Sequence, residues 1–383
     1  MNVLYLTMNP NRQSTTVPTE GWFRLLPERG LKPVLVSRER RAFDQWARCQ
    51  GIPAYQNPLP FPDKRRPWQL ARALWQLRSI AKRHRIELIH CNEQDVYPIG
   101  SYLARLLKVP VVVSVHFTMG RGFCQWAFGG NRAPDKMFFV SRSNLEACRP
   151  NLTGIVPSDR WRVLHNGLNL EDYQVDDAKA AEFRSTYKLH GCRLVGVACA
   201  IRERKQIEHL FRAMVGVHVD LRLKVVLAGG EVPGERPEYS NEVVKMGKSL
   251  LGDRFIYVGH LEDLRGMLNA LELFVNTSRE ESFGIAPLEA LACGCPVVGY
   301  DSKAVDEVVL PDGGEIVEQD NVDLLRETLE KWLADAALLS GARAGARRQA
   351  ERFDIRTLAD QLWDEYTQLL GERNRVRHAS ALQ

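Results

Sequence analysis

Residues 280–298 read EESFGIAPLEALACGCPVV, and this stretch decides how the rest of the chain is understood. Gly284 permits backbone angles closed to other residues and Pro287 suits the first turn of a helix, so a helix is expected to start near Ala286. It runs on through Leu288, Ala290, Leu291 and Ala292, and Gly294 ends it before the strand PVVGY. Glu281 then lies in the loop ahead of the helix, as an exposed group that should spare the fold when replaced, and Glu289 lies in the first turn. Between them the N–H groups of Phe283, Gly284 and Ile285 project from the positive end of a helix, which makes a phosphate site. A phosphate flanked by carboxylates calls for a ligand with hydroxyls on both sides of its phosphates, because a carboxylate accepts paired hydrogen bonds from a vicinal diol. A sugar nucleotide has that shape. Taken singly, Glu289 suits a helix dipole and Glu281 a solvated loop; the Glu-x7-Glu spacing across a glycine loop joins them.

The surroundings agree with this reading. A chain of 383 residues is long for one core, so two domains are expected. Short apolar runs (NVLYLT, KPVLVS, ELIHC, VPVVVSVH, KMFFVS) alternate with amphipathic stretches, as parallel strands with crossover helices do. A second series follows, LVGVACAI, LKVVLAGG, RFIYVGH, LFVNTS and PVVGY, giving two Rossmann-like halves. Between them RWRVLHNGLNLEDY carries an Asn-Gly turn pair suited to a linker. Neither half has GxGxxG after its first strand, which argues against a nicotinamide enzyme. The net charge of +5 is too mild to demand nucleic acid. No long apolar run suggests a membrane span or a signal peptide, and eight cysteines without paired zinc spacing read as thiols of a reducing cytoplasm.

Residues 280–298 closely resemble the donor-site signature of the family 4 glycosyltransferases, and the resemblance extends over nearly the whole chain. HNGLNLEDY is similar to the family's interdomain segment, VVLAGGE to a characteristic strand end, and MLNALELFVNTSREESFG to the approach to the donor loop. The resemblance implies an α/β fold of two Rossmann-like domains facing across a cleft (GT-B), with the C-terminal helix crossing back to the first domain. The expected boundaries are 1–168 for an acceptor-side domain joined by a helix over 356–371, 169–355 for a donor domain, and 372–383 for a loose basic tail. It implies sugar transfer from a nucleotide diphosphate to a hydroxyl of a glycan or lipid-linked acceptor, with anomeric configuration retained. The expected donor is a UDP-sugar, and neither a cofactor nor a metal is called for. An epimerase of the same fold and a catalytically silent sugar-nucleotide-binding partner stay open as alternatives.

Residue by residue, Glu281 matches the carboxylate that bonds the donor sugar, and Glu289 the one that holds the ribose diol. Ser282, Phe283, Gly284 and Ile285 match the loop that meets sugar and phosphate, and Lys205 matches the lysine that neutralises the diphosphate. The arginine expected shortly before that lysine is absent, its place held by Cys199 and Ala200, so Arg202 or Arg204 supplies the second charge or neither does. His116, at the end of VPVVVSVH, matches a histidine that faces the donor sugar. Many members carry a double glycine after the first strand. Here Asn9, Asn11, Ser14, Thr15 and Thr16 stand instead, as an acceptor-facing loop or as plain polar surface. Residues 64–85 are basic and amphipathic, with Trp68, Leu70, Leu74, Trp75 and Leu77 among Arg and Lys. Such a helix either packs its aromatic side on the first sheet or lies on anionic lipid at the inner membrane face.

Overall fold

The computed structural model describes every residue except 10, 12–14, 218–219, 221, 232–236 and 382–383. Ser14 of the first loop therefore lies outside the described residues. In the first half the apolar runs form β1 (Asn2–Thr7), β2 (Lys32–Ser37), β3 (Ala54–Gln56), β4 (Leu88–Cys91), β5 (Val111–Val115), β6 (Lys136–Phe139) and β7 (Trp161–Val163). They pair in parallel in the order β3-β2-β1-β4-β5-β6-β7. The second half gives β8 (Arg193–Ala198), β9 (Leu223–Ala228), β10 (Phe255–Gly259), β11 (Leu273–Asn276), β12 (Val297–Tyr300) and β13 (Gly314–Val317). Their order is β10-β9-β8-β11-β12-β13, again parallel. Central strands such as β1, β4, β5, β8 and β11 are buried on both faces, which is why they read as continuous apolar runs. The short edge strands β3, β7 and β13 are additions to the sequence reading, and β7 lies inside the segment read as linker.

The chain divides into two compact units, residues 1–168 with 355–383, and residues 169–354. The last helix, Ile355–Ala381, belongs to the first unit. It begins one residue earlier than expected and continues through most of 372–383, so the helix replaces the loose tail of the sequence reading. Its apolar positions Ile355, Ala359, Leu362, Tyr366 and Leu369 recur at helical spacing and join the core beside Tyr5, Phe23 and Phe138. The Tyr366 hydroxyl meets Tyr5 Oη at 3.0 Å and also bonds His90 Nδ1.

The basic helix Pro67–Arg83 packs on the first sheet through Leu70, Ala73, Leu74, Leu77, Ile80 and Ala81. Its tryptophans do not join that face: Trp68 is 64% exposed and Trp75 72%. The aliphatic side is therefore the packing side, and both rings stand outward among exposed Arg and Lys. Among the described residues no helix is long and apolar enough to cross a membrane.

Topology fixes where each half can bind a ligand. In an open parallel sheet, chains leaving the carboxyl ends of two adjacent strands in opposite directions open a crevice at that point. The first sheet reverses between β1 and β4, and the second between β8 and β11. The segments leaving these strands are residues 8–16 and 92–96 in one unit, and 199–206 and 277–284 in the other.

Candidate active site

In the second unit the crevice segments carry Lys205 and Glu281. Lys205 ends a tight turn, Glu203–Lys205, and its carbonyl accepts from Thr277 Oγ1 at 2.8 Å, which ties the two segments together. Glu281 is held in the loop by its N–H donating to Ser302 O at 3.1 Å and by a bridge to Lys303. The Lys205 ammonium donates directly to Glu281 Oε1. Only 12% and 13% of these two side chains remain exposed, so Glu281 is a largely buried, paired carboxylate and not the exposed loop group expected from sequence. Burial pushes its carboxyl up. The Lys205 charge and hydrogen bond, with Ser278 and Arg204 behind them, outweigh burial and hold it below the ordinary range.

Gly284 then turns the chain into the helix Ile285–Ala292, with a left-handed φ of 100° that an L side chain rarely adopts. A Cβ there would also come within 3.2 Å of Val305. Phe283 sends its ring into the core against Phe353, at 5.3 Å between centroids, which leaves its backbone at the head of the helix. Ser282 and Ile285 are half-buried beside it. The helix starts at Ile285, one residue before the expected Ala286. Glu289 is therefore its fifth residue and lies past the first turn, a correction to the sequence reading. It accepts from the Tyr173 hydroxyl at 2.6 Å. Burial raises its carboxyl to about 7 against the lowering effect of that hydrogen bond, with Asp263 adding to the rise.

The two candidate arginines differ. Arg204 is exposed, donates from Nη1 to Glu280 O at 3.1 Å, and receives the Arg279 N–H on its own carbonyl at 2.8 Å, so it borders the Glu281 loop directly. Arg202 is half-buried at the start of the same turn.

The crevice of the first unit is built around a carboxylate that the sequence reading did not single out. Glu93, 3% exposed, receives Thr7 Oγ1 at 2.6 Å, and the amides of Asn9 and Asn92, both at 3.1 Å, on one oxygen. The Met8 N–H reaches the other at 3.1 Å. Burial raises its carboxyl despite these four neutral donors. The signal was the polar run NEQD straight after the apolar strand ELIHC, at a sheet's carboxyl edge.

Asn92 extends the network. Its amide donates to Thr15 O at 3.1 Å and its side-chain oxygen accepts from Thr19 at 2.6 Å. Thr15 and Thr16 are buried, Thr15 receives the Asn9 amide at 2.9 Å, and Thr16 Oγ1 donates to Asn11 O at 3.3 Å. These bonds tie Thr15 and Thr16 to Asn9, Asn11 and Asn92, while Asn9 is half-buried and Asn11 exposed. His116, 5% exposed, follows β5 and bonds Asn92 O through Nε2 at 2.8 Å. A carbonyl only accepts, so Nε2 carries the proton and Nδ1 is the acceptor. Burial, against the Asn92 bond, lowers its pKa to about 4, so the ring is neutral near pH 7.

Two parallel sheets of this order, each with a polar site at its strand reversal, define the GT-B class of glycosyltransferase fold. The structure of HepE from Anabaena, solved in complex with UDP and glucose, matches with a TM-score of 0.84 at 20% identity, covering 96% of this chain and 100% of that one. The family model described as Glycosyltransferase Family 4 matches residues 22–172, and the one described as Glycosyl transferases group 1 matches residues 180–350. The chain belongs to the family 4 glycosyltransferases. The lipopolysaccharide core biosynthesis mannosyltransferase LpcC of Rhizobium leguminosarum bv. viciae is 24% identical, over 80% of this chain and 84% of its own length. The serotype-specific mannosyltransferase WbdA of Escherichia coli is 30% identical over 58% of this chain, and the match spans 27% of that larger protein.

Proposed function

We propose that this glycosyltransferase moves a hexose from a nucleotide-diphosphate sugar to a hydroxyl of a glycan or lipid-linked acceptor in envelope polysaccharide or glycolipid synthesis, with retention and without a metal. The observation that carries the reading is the Lys205–Glu281 pair at the head of the helix Ile285–Ala292. A largely buried ammonium close to a helix N-terminus suits a diphosphate, and the adjoining carboxylate suits sugar hydroxyls.

In the proposed reaction the C1–oxygen bond to the diphosphate breaks with its electron pair leaving on the diphosphate. The acceptor oxygen bonds C1 from the same face, and its proton passes to the departing phosphate oxygen. Lys205, with Arg204 or Arg202, and the helix N-terminus stabilise the charge that develops on the leaving group. These groups fill the role a divalent cation would otherwise fill. Glu281 orients the sugar, Ser282 and the backbone of Phe283, Gly284 and Ile285 receive sugar and phosphate, and Glu289 accepts the ribose hydroxyls. His116 is assigned to the donor sugar, and Asn9, with the loop that Thr15 and Thr16 hold, to the acceptor.

LpcC and WbdA, both named mannosyltransferases, support a hexose and an envelope product, and HepE, solved with UDP, supports a UDP-sugar donor. Trp68 and Trp75, exposed among basic residues, support weak docking on anionic lipid. One feature favours a silent nucleotide-sugar-binding protein instead: Cys199 and Ala200 where the resemblance expects arginine. Incubation with UDP-, GDP- and ADP-sugars decides between them. Slow hydrolysis of one donor, lost in Glu281→Gln, is the expected result, and binding without turnover even in the presence of lipid extract would establish the silent protein.

A further inference from the structure

Tyr173 lies in the segment that opens the second unit, and nothing in the sequence marks it as part of a site. Its surroundings are built with care. The Tyr173 carbonyl accepts from the Arg347 guanidinium, which also holds Leu170 O at 3.1 Å and the carbonyl of Ala292. The preceding carbonyl, of Asp172, accepts from Arg265 at 3.0 Å, and the following one, of Gln174, from Asn269 at 3.2 Å. Three side chains from two helices therefore fix consecutive peptide units, and with them the direction of the phenol. That phenol donates to Glu289 Oε1 at 2.6 Å.

We infer that Tyr173 is a positioning residue for the nucleotide: its hydroxyl holds the Glu289 carboxylate in the plane and charge state that grip the ribose diol. This rests on the reading of Glu289 as the ribose carboxylate. Each carboxylate oxygen offers two lone pairs, so the phenol occupies one of four and leaves both oxygens able to accept from a diol. A phenylalanine would fill the same space and leave the carboxylate unaimed.

The electrostatic setting adds a pH dependence. The ionisable groups that face the pair are Asp263 just ahead of the helix Arg265–Ala270, Arg265 at its first position, Cys293 at the end of Glu289's own helix, and Arg347 on the helix Ala336–Glu351. Asp263 is bound to Arg265 at 2.6 Å and is held below the ordinary carboxylate range, and burial pushes Cys293 to about 12, so neither changes charge near neutrality. Glu289, raised to about 7 by burial, does. Protonation converts an acceptor oxygen into a donor and removes half of the diol's partner. The Tyr173 bond opposes protonation, because a donor favours the ionised form.

The test is isothermal titration of the intact protein with UDP-glucose and with GDP-mannose between pH 6 and 8, where neither ligand's diphosphate titrates. Whichever binds, native affinity is expected to be about tenfold weaker at pH 6 than at pH 8, as a carboxylate titrating at about 7 requires. Tyr173→Phe, which keeps the ring, is expected to weaken binding several-fold at pH 7 and to move the midpoint upward. Glu289→Gln is expected to bind weakly at every pH with no midpoint. Unchanged affinity and midpoint in Tyr173→Phe, or an equal weakening at all pH values, would overturn the inference while leaving Glu289 in its role. Native affinity in Glu289→Gln would instead overturn the reading beneath it.

Discussion

Two buried carboxylates stand at equivalent places in the two halves of the molecule, and they titrate in opposite directions. Glu93 follows β4 where the first sheet reverses, and Glu281 follows β11 where the second does. Burial raises both. Glu281 has the Lys205 ammonium and falls below the ordinary range, whereas Glu93 has four neutral donors and stays above it. Neutral hydrogen bonds offset part of a desolvation penalty; a contacting opposite charge reverses it. The difference separates two tasks. At Glu281 a full positive charge is stored next to a helix N-terminus, which suits an anionic ligand. At Glu93 a carboxylate gathers Thr7, Met8, Asn9 and Asn92, which ties the end of β1 and the residues after it to those that follow β4.

The comparison breaks most readily at Lys205. Lys205→Ala leaves Glu281 buried without its counter-charge, at a cost of about 3 kcal/mol in stability, readable by urea unfolding. In the proposed reaction it should also weaken leaving-group stabilisation, for a loss of about 100-fold or more in turnover. The double variant Lys205→Ala with Glu281→Ala should recover much of the stability and none of the turnover. A single variant as stable as the native protein would show that the pair is not a buried one.

Glu93→Gln should cost less, about 1–3 kcal/mol, because the carboxamide N–H2 is turned against donors that need an acceptor. The pH dependence sharpens the contrast. The folded-state pKa of Glu93 lies above its unfolded value near 4.5, so its share of stability is present below that pH and is lost as pH rises through the folded value. For Glu281 the folded value is depressed, so its share is present above 4.5 and lost as pH falls through the folded value. Subtracting the Glu93→Gln unfolding curve from the native one, pH by pH, should show the first slope, and a difference of the opposite sign would refute the assignment.

The smallest effect is expected at the two exposed tryptophans. Trp68→Ser with Trp75→Ser should change stability by no more than about 0.5 kcal/mol, since both rings are exposed. Sedimentation with anionic vesicles should fall in this variant and at high salt. Equal sedimentation with neutral and anionic vesicles would remove the lipid reading.

Much of this architecture could be read from the chain because the central strands are buried on both faces and announce themselves as apolar runs. The edge strands β3, β7 and β13 could not, since three or four residues with mixed burial carry no period. Helical spacing showed that residues 67–83 have an apolar side, but a tryptophan counts as apolar wherever it points, and only the packed helix shows both rings outside. The turn into the helix Ile285–Ala292 was legible through Gly284. The electrostatics of the two glutamates were not: the partner of Glu281 lies 76 residues earlier in the chain, and that of Glu289 lies 116 residues earlier. Charge state depends on those contacts, so it becomes readable only once the strands are in order.

The central claim is that Lys205 and Glu281 form the seat of a nucleotide-diphosphate sugar. A thermal-shift screen of UDP-, GDP- and ADP-sugars against the native protein and Lys205→Ala tests it most directly, since stabilisation follows the ratio of ligand concentration to Kd. One class of nucleotide sugar should raise the native Tm by several degrees at millimolar concentration and should raise that of Lys205→Ala far less. Equal shifts in the two proteins would place the diphosphate elsewhere and contradict the account.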